Sequence, residues 1–145
     1  MAPKLFVATK ALIVNNEGKV LLIRESSQYK DGSKIGGLDT PGGRVQAGQH
    51  FDESLKREVR EETGLEIRIG ESFFVNESWP MVRGESWQII RIFFECYPES
   101  SDVRLSDDHD AFEWIDPEEY ARYPIIENLK PMFEVYLKKN DEAPK

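Results

Sequence analysis

Three carboxylates with helical spacing lie in the stretch from Gly43 to Leu65, GRVQAGQHFDESLKREVREETGL. Successive residues of an α-helix are rotated by about 100°, so Glu58, Glu61 and Glu62 project from one side of a helix. Acids spaced i and i+4 repel each other unless a positive charge lies between them. Carboxylate oxygens on a rigid helix are also the ligands that a hard cation such as Mg²⁺ requires. The spacing therefore indicates a metal site.

The apolar stripe of this helix separates the three acids. Relative to Leu55 in the stripe, Glu62 is rotated by about 20°, which places it among the apolar residues. Glu58 lies at the edge of the stripe, at about 60°, and Glu61 lies further round, at about 120°. The alternative is an exposed helix with salt bridges, such as that between Arg57 and Glu61. It does not account for Glu62, because acids are rarely buried without a partner or a metal.

The stretch resembles the Nudix box, G-x5-E-x7-R-E-U-x-E-E-x-G-U, in which U is a bulky aliphatic residue. The positions that match in register are Gly43, Arg57, Glu58, Val59, Glu61, Glu62, Gly64 and Leu65. Gln49 stands where the family has glutamate. An apolar strand before the box, a Pro-Gly-Gly entry and a later Trp-Ile-Asp-Pro-Glu-Glu segment extend the resemblance over residues 4–138. So many fixed positions in one short stretch make a chance match improbable.

Composition and charge are those of one globular domain. The chain has 145 residues, of which 39% are hydrophobic, and a net charge of −8 at pH 7. This length supports a single core, and we expect a domain over residues 1–139 with a polar C-terminal tail at 140–145. The acidic charge argues against binding to nucleic acid polymers and against an anionic membrane surface. It does not exclude a nucleotide substrate, because a bound metal inverts the local charge.

Apolar runs and turn signals predict an α/β fold of the α+β type. The expected strands are 5–14, 19–24, 65–77, 85–97 and 111–115, with a polar loop over the site at 25–39 and a turn at 79–84. The expected helices are 52–63, closed by Gly64 as a left-handed cap, a brief one at Pro117, and a last one from Pro131 to 138. The Nudix resemblance implies an α/β/α sandwich around a mixed β-sheet.

The single cysteine, Cys96, excludes an internal disulfide and suits a reducing cytoplasm. We expect it to be a small buried strand residue. No signal peptide or membrane span is evident, because the apolar run 5–14 is short and Lys10 interrupts it. A cytoplasmic protein is therefore expected. Homodimers are common in the family, and the sequence leaves this point open.

The resemblance implies Mg²⁺-dependent hydrolysis, with Mn²⁺ as an alternative metal, of a phosphoanhydride bond in a nucleoside diphosphate linked to another group. In the family, the residue matching Glu58 binds metal and helps to deprotonate water, and the one matching Glu62 is a principal ligand. Glu61 shares in this cluster. The carbonyl of the residue matching Gly43 supplies a further oxygen. Arg57 holds the catalytic glutamate, a task that suits a forked guanidinium.

Residues at the edge of the box and outside it carry further expectations. Gln49 keeps the shape of glutamate without its charge, so we expect a weakened or altered metal site. His50 stands where the family often has a capping Ser or Thr, and Asp52 is expected to cap the helix instead. Asp108 is the candidate for a remote metal ligand or base, a solvated acidic loop being the alternative. His109, beside it, is expected to be exposed.

The substrate is less well defined than the reaction. Arg24, Trp79 and Arg83 are candidate substrate-binding residues, and Arg91 is a further candidate for contact with phosphate. The alternative for each arginine is an exposed surface charge. The aromatic residues Phe73, Phe74 and Trp87 could stack on a base, although aromatics on strands more often belong to the core.

A nucleoside triphosphate or related nucleotide is the expected substrate, and two alternatives stay open. Pro80 lies fifteen residues beyond Leu65, like the proline associated with ADP-ribose hydrolases, so an ADP-ribose or NDP-sugar pyrophosphatase is one alternative. A non-catalytic module that senses nucleotides is the other, and the departures at Gln49 and Asp108 leave room for it. The three glutamates favour an enzyme.

Overall fold

The computed structural model describes residues 2–26 and 37–142. Its strands are β1 Lys4–Ile13, β2 Val20–Glu25, β3 Leu38–Asp39, β4 Gly42–Arg44, β5 Ile67–Ser78, β6 Met81–Val82, β7 Glu85–Pro98 and β8 His109–Ile115. Its helices are α1 Phe51–Thr63 and α2 Lys130–Glu142, with 3₁₀ turns at Pro117–Arg122 and Glu127–Leu129. The five predicted strands and the three predicted helices are therefore present.

The strands form two sheets in the described part of the chain. The first has the order β4-β1-β7-β5, and the short strand β6 pairs with β7. In it β1 and β7 run parallel while the other pairs are antiparallel, so the sheet is mixed, as predicted. The second sheet, β3-β2-β8, is antiparallel. This division was not predicted, because the pairing of β2 with β8 joins segments far apart in the chain.

Alternating residues of β1 serve two cores, one on each face of the first sheet. Ala11 and Ile13 pack with Leu55 and Val59 of α1. Leu12, between them in sequence, packs on the opposite face in a cluster that includes Phe93 of β7 and Met132 and Phe133 of α2. Successive side chains of a strand point to opposite faces, so one strand supports both layers. The α/β/α arrangement is confirmed.

Several boundaries differ from the prediction. Helix α2 begins one residue before Pro131, which is tolerated in a first turn because its missing N–H would have no partner there. The helix continues through 140–142, residues that the sequence analysis assigned to a polar tail. Of the loop predicted at 25–39, residues 27–36 lie outside the described ranges, and Leu38–Asp39 forms β3. The short strands β4 and β6 were not predicted.

Cys96 has no exposed surface, as predicted, and burial raises the pKa of its thiol to about 12. No helix in the described ranges is long and apolar enough to cross a membrane.

Candidate active site

Two glycines bring the backbone of β4 against helix α1 and strand β1. Gly42 has φ 140°, and a Cβ there would lie 2.1 Å from the carbonyl oxygen of Thr9. A Cβ on Gly43 would lie 3.0 Å from the carboxylate of Glu58. Only residues without side chains allow these approaches. The Gly-Gly sequence therefore lets the carboxylate of Glu58 lie directly beside main-chain atoms.

The ends of α1 agree with the prediction at one terminus only. Gly64 has φ 74°, and its N–H donates to the carbonyl of Arg60 at 2.9 Å, which confirms the left-handed cap. At the start, His50 occupies the N-cap position without a side-chain hydrogen bond. The carboxylate of Asp52 accepts only from its neighbour, the N–H of Glu53, at 2.9 Å. The predicted Asp52 cap is wrong, because the helix begins one residue earlier.

Glu62 points into the protein, as its position in the apolar stripe predicted. Its side chain is 15% exposed. The N–H of Gly42 donates to its Oε1 at 3.0 Å, and His109 Nε2 lies 3.4 Å from its Oε2. Glu62 therefore joins α1 to β4 and to the start of β8.

Burial raises the pKa of the Glu62 carboxyl to about 8. The charges of Glu58 and Asp39 also raise it, whereas Lys10 and the N–H of Gly42 lower it. Burial also disfavours the charged form of His109 and so lowers its pKa, although the charge of Asp108 acts in the opposite direction. The raised pKa favours the protonated carboxyl in the metal-free protein.

Glu58 is more exposed than Glu62, and Glu61 is more exposed than either. The side chain of Glu58 is 24% exposed and that of Glu61 is 62% exposed. Arg57 Nη2 donates to Glu58 Oε1 at 3.3 Å, and Arg57 Nε lies 3.7 Å from Glu61 Oε1. The contact expected between Arg57 and Glu58 is thus present. The order of burial, Glu62 then Glu58 then Glu61, follows the helical step.

The predicted metal-binding residues line an open cleft of about 380 Å³, which we call the acidic cleft. The residues of that set that line it are Gly43, Glu58, Glu61, Glu62 and Asp108. Hard oxygen ligands, together with a buried carboxyl whose charge needs balancing, fit a hard divalent cation. Among the described residues, no three acidic, histidine or cysteine side chains are already placed to hold one ion.

The family model of the NUDIX domain matches residues 4–136. The chain belongs to the Nudix family. It is 28% identical over 127 residues to the CTP pyrophosphohydrolase of Escherichia coli (strain K12), covering 88% of each chain. It is 25% identical over 120 residues to the nucleoside triphosphatase NudI of Escherichia coli O81 (strain ED1a), covering 78% of this chain and 84% of that one.

Among solved structures, the chain is similar to the crystal structure of the MutT protein from Methanosarcina mazei Go1. The TM-score is 0.85 and the identity 26%, with 98% of this chain and 99% of that chain covered. The protein is accordingly a Nudix hydrolase, as the box predicted.

The acidic cleft is also lined by residues that sequence reasoning missed. Lys10 Nζ lies 3.3 Å from Asp39 Oδ2, with the two side chains 11% and 16% exposed, and both residues line the cleft. A lysine that interrupts an apolar strand was the available signal. His109 also lines the cleft with a side chain only 11% exposed, so its predicted exposure is wrong. It is buried because the turn before β8 folds against Glu62.

Asp108 lines the acidic cleft, whereas Gln49 does not. Asp108 is exposed and lines it, and its carbonyl accepts from the N–H of Ser26 at 2.7 Å. Its role as ligand or base stays a prediction. Gln49 is exposed outside the cleft lining, and its side-chain oxygen accepts from the N–H of Gln46 at 3.4 Å. The expected effect of Gln49 on the metal site also stays a prediction.

The structure does not bring the three predicted substrate-binding residues to the acidic cleft. Arg24 Nε lies 2.7 Å from Asp110 Oδ1, and both side chains are partly exposed. Trp79 is 59% exposed just before β6, and Arg83, with φ 50°, forms the turn between β6 and β7. None of the three is among the residues that line the described cleft. Their contact with substrate stays a prediction.

The aromatic candidates are divided between the core and an open face. The ring of Phe73 packs against Tyr136, and that of Phe74 packs against Phe93. Both therefore serve the core, the alternative that the sequence favoured. Trp87 instead contacts Phe6 near the end of β1 that lies away from the core.

Proposed function

We propose that this Nudix hydrolase catalyses the Mg²⁺-dependent hydrolysis of a nucleoside triphosphate at a phosphoanhydride bond. The observation that carries the proposal is the buried carboxyl of Glu62 beside Glu58 in an open cleft. A buried acid with this pKa indicates a site built for a cation. Two relatives named as a CTP pyrophosphohydrolase and a nucleoside triphosphatase support the choice of substrate class.

The metal would be held by Glu58, Glu61 and Glu62, with the carbonyl oxygen of Gly43 as a further ligand. Bound Mg²⁺ would neutralise the phosphate oxygens and promote ionisation of the attacking water. Lys10 adds a fixed positive charge on the wall of the cleft, oriented by Asp39. The metal and Lys10 would therefore provide positive charge for binding a triphosphate chain, although the net charge of the protein is negative.

In the proposed reaction, Glu58 accepts the proton of the attacking water, and Arg57 keeps its carboxylate in place. The oxygen of that water forms a bond to phosphorus while the anhydride P–O bond breaks. The released phosphate oxygen carries away the electron pair. With a nucleoside triphosphate and attack at the α-phosphorus, the products are a nucleoside monophosphate and pyrophosphate.

The test is turnover of a substrate panel with Mg²⁺, with Mn²⁺ and with chelator. The panel contains ordinary and oxidised nucleoside triphosphates, ADP-ribose, NDP-sugars and dinucleoside polyphosphates. We expect the highest metal-dependent kcat/KM on a triphosphate, with pyrophosphate as a product. A higher value on ADP-ribose or an NDP-sugar would replace the substrate class. Tight binding of nucleotides without turnover would replace the enzyme by a sensing module.

A matched pair of variants tests the assignment of the general base. Glu58→Gln should lower kcat by about a hundredfold or more, because a carboxamide cannot accept the proton. Glu53→Gln changes an exposed residue of the same helix in the same way and should leave kcat unchanged. Equal activity of the two variants would remove Glu58 from the mechanism.

A further inference from the structure

A line of side chains crosses the first sheet beside the acidic cleft. The strand registers pair Arg44 with Ala8, Ala8 with Arg91, and Arg91 with Asn76. Paired residues of neighbouring strands point to the same face, which is also the face of Lys10, two residues beyond Ala8. We call Arg44, Ala8, Arg91 and Asn76 the cross-strand row. Ala8, which has a small side chain, lies between the two arginines in this register and is 5% exposed.

Arg91 is a buried charge with unused hydrogen-bonding capacity. The residue is 6% exposed, and its Nη2 donates to Ser78 Oγ at 2.9 Å. Its Nη1 is buried and has no hydrogen-bond partner among the described residues. Leaving a charged donor buried and unpaired is destabilising unless a ligand or water completes it. The Nη1 atom, with its two N–H groups, is therefore available in the row.

Two unpaired acceptors belong to Asn76, which pairs with Arg91 across the strands, and to Asn128, which Asn76 contacts. Asn76 Nδ2 donates to the carbonyl of Asn128 at 3.3 Å, which fixes the orientation of the Asn76 amide because a carbonyl can only accept. The Oδ1 of Asn76 is then left buried without a partner. The Oδ1 of Asn128, in the 3₁₀ turn before α2, is also buried and unpaired. These residues offer the two N–H groups of one cationic nitrogen and two neutral acceptors.

The other end of the row provides a flat surface. The Arg44 guanidinium lies 4.6 Å from the ring centre of Phe6 and 4.7 Å from that of Trp87. The two rings are 4.5 Å apart. Planar aromatic and guanidinium groups of this kind are surfaces on which nucleobases stack. Arg44 also lines the acidic cleft, so the row and the Nudix site are continuous.

We propose that the cross-strand row, together with Asn128, selects nucleotides whose base carries an exocyclic amino group; this rests on the proposed function. The amino group offers two N–H donors to the oxygens of Asn76 and Asn128. A neighbouring ring nitrogen or carbonyl accepts from Arg91 Nη1. Cytosine, adenine and guanine meet this requirement. Uracil and hypoxanthine offer a single N–H on that edge, so one buried amide oxygen stays unpaired.

A phosphate group fits the same atoms less well. Its oxygens would accept from Arg91, but they would also lie against the oxygens of Asn76 and Asn128, which can only accept. The donor-and-acceptor pattern therefore favours the base over the triphosphate chain.

The test compares substrates that differ at one edge of the base. With Mg²⁺, kcat/KM should be about tenfold or more higher for CTP than for UTP, and for ATP than for ITP. Arg91→Met should lower kcat/KM for the amino-bearing substrates by about tenfold or more and bring both ratios toward one. Arg91→Lys, which keeps the charge but not the forked geometry, should restore part of the loss.

Two controls separate base recognition from general damage. Arg68→Met removes an exposed arginine of β5 and should leave both substrate ratios unchanged. The absolute kcat/KM values for CTP and for UTP should also be equal in the wild type and in Arg68→Met. Asn76→Asp should also bring the ratios toward one, because a carboxylate there would pair with Arg91 and occupy its free donor.

The possible outcomes distinguish this inference from the proposed function. Equal kcat/KM for both members of each pair would overturn the inference and leave the hydrolase assignment intact. If no nucleotide is cleaved, the proposed function fails, and calorimetric binding of CTP and UTP with Ca²⁺ tests the row directly. Tighter binding of CTP that is lost in Arg91→Met would support selection. Equal binding of both nucleotides would overturn it.

Discussion

Glu62 and Arg91 are both buried charged residues beside one cleft, but they respond to burial differently. Burial raises the pKa of Glu62 to about 8, so the acid becomes neutral when no cation is present. Burial lowers the pKa of Arg91, yet a guanidinium keeps its proton at any physiological pH. Glu62 can therefore be uncharged when no ligand is bound. Arg91 stays charged, and it needs a ligand or water to complete its hydrogen bonds.

The comparison separates two tasks of a single site. The acidic end, Glu58, Glu61 and Glu62, belongs to one helix and serves the proposed reaction. The cross-strand row comes from four strands and serves the proposed choice of base. Their continuity through Arg44 would couple selection to chemistry by position alone.

The largest expected effect is the loss of turnover in Glu62→Gln. We expect Mg²⁺-dependent kcat to fall by about a hundredfold or more, because the proposed principal ligand loses its charge. The fold should persist, since glutamine resembles the protonated carboxyl and can accept from the N–H of Gly42. Steady-state kinetics and a thermal melt measure both properties. Near-normal activity would contradict the assignment of Glu62 as the principal ligand.

The pH dependence of stability is the next effect, and it belongs to Glu62 alone of the two residues. The carboxyl titrates near 4.5 when unfolded and near 8 when folded, so the folded state holds the extra proton between these values. The free energy of unfolding of the metal-free protein should therefore fall as pH rises through this window, by at most about 1.4 kcal/mol per pH unit.

Urea titrations of the wild type and of Glu62→Gln at pH 5, 6.5 and 8 measure this dependence. His109, whose pKa is lowered, contributes with the opposite sign, and because its Nε2 lies 3.4 Å from Glu62 Oε2, the difference between the two proteins reports Glu62 together with its contact to His109. Parallel pH dependences in the two proteins would show that Glu62 is not protonated in the free cleft.

A smaller effect is expected for the stability of Arg91→Met. Replacing a buried and incompletely paired charge by an apolar side chain of similar length should leave the ligand-free protein as stable, or more stable by about 1 kcal/mol. Urea unfolding measures the change, with Arg68→Met as the exposed control. A loss of stability above about 2 kcal/mol would mean that Arg91 is a structural residue whose bonds hold the sheet together.

The smallest effect is expected at Gln49. The sequence predicts a weakened metal site here, but the side chain bonds to its own loop outside the cleft. We therefore expect Gln49→Glu to change Mg²⁺-dependent kcat/KM by less than about threefold, since its charge would be exposed and screened. A gain of tenfold or more would show that this loop turns toward the metal when substrate binds.

Sequence reasoning succeeded where the structure depends on near neighbours in the chain. The helical step alone predicted the burial of Glu62 and the exposure of Glu61, and Gly64 closes α1 as expected. The Asp52 cap failed, although it is local, because His50 can begin the helix without a side-chain bond.

Contacts between segments that are far apart in the chain could not be predicted from the sequence. The ion pair of Lys10 with Asp39 joins β1 to β3, and the burial of His109 depends on a turn that folds against α1. The three predicted substrate contacts were chosen by residue type, without any means of placing the hairpin that carries Trp79 and Arg83.

The sequence by itself determined the family, the helix and the order in which its glutamates are buried, because each depends on spacing within one continuous segment. Only the tertiary structure decided which residues share the cleft with them. Strand pairing sets Arg44, Ala8, Arg91 and Asn76 side by side although they are far apart in the chain. Register between strands is fixed by the packing of both sheet faces, and no local pattern of residues specifies it.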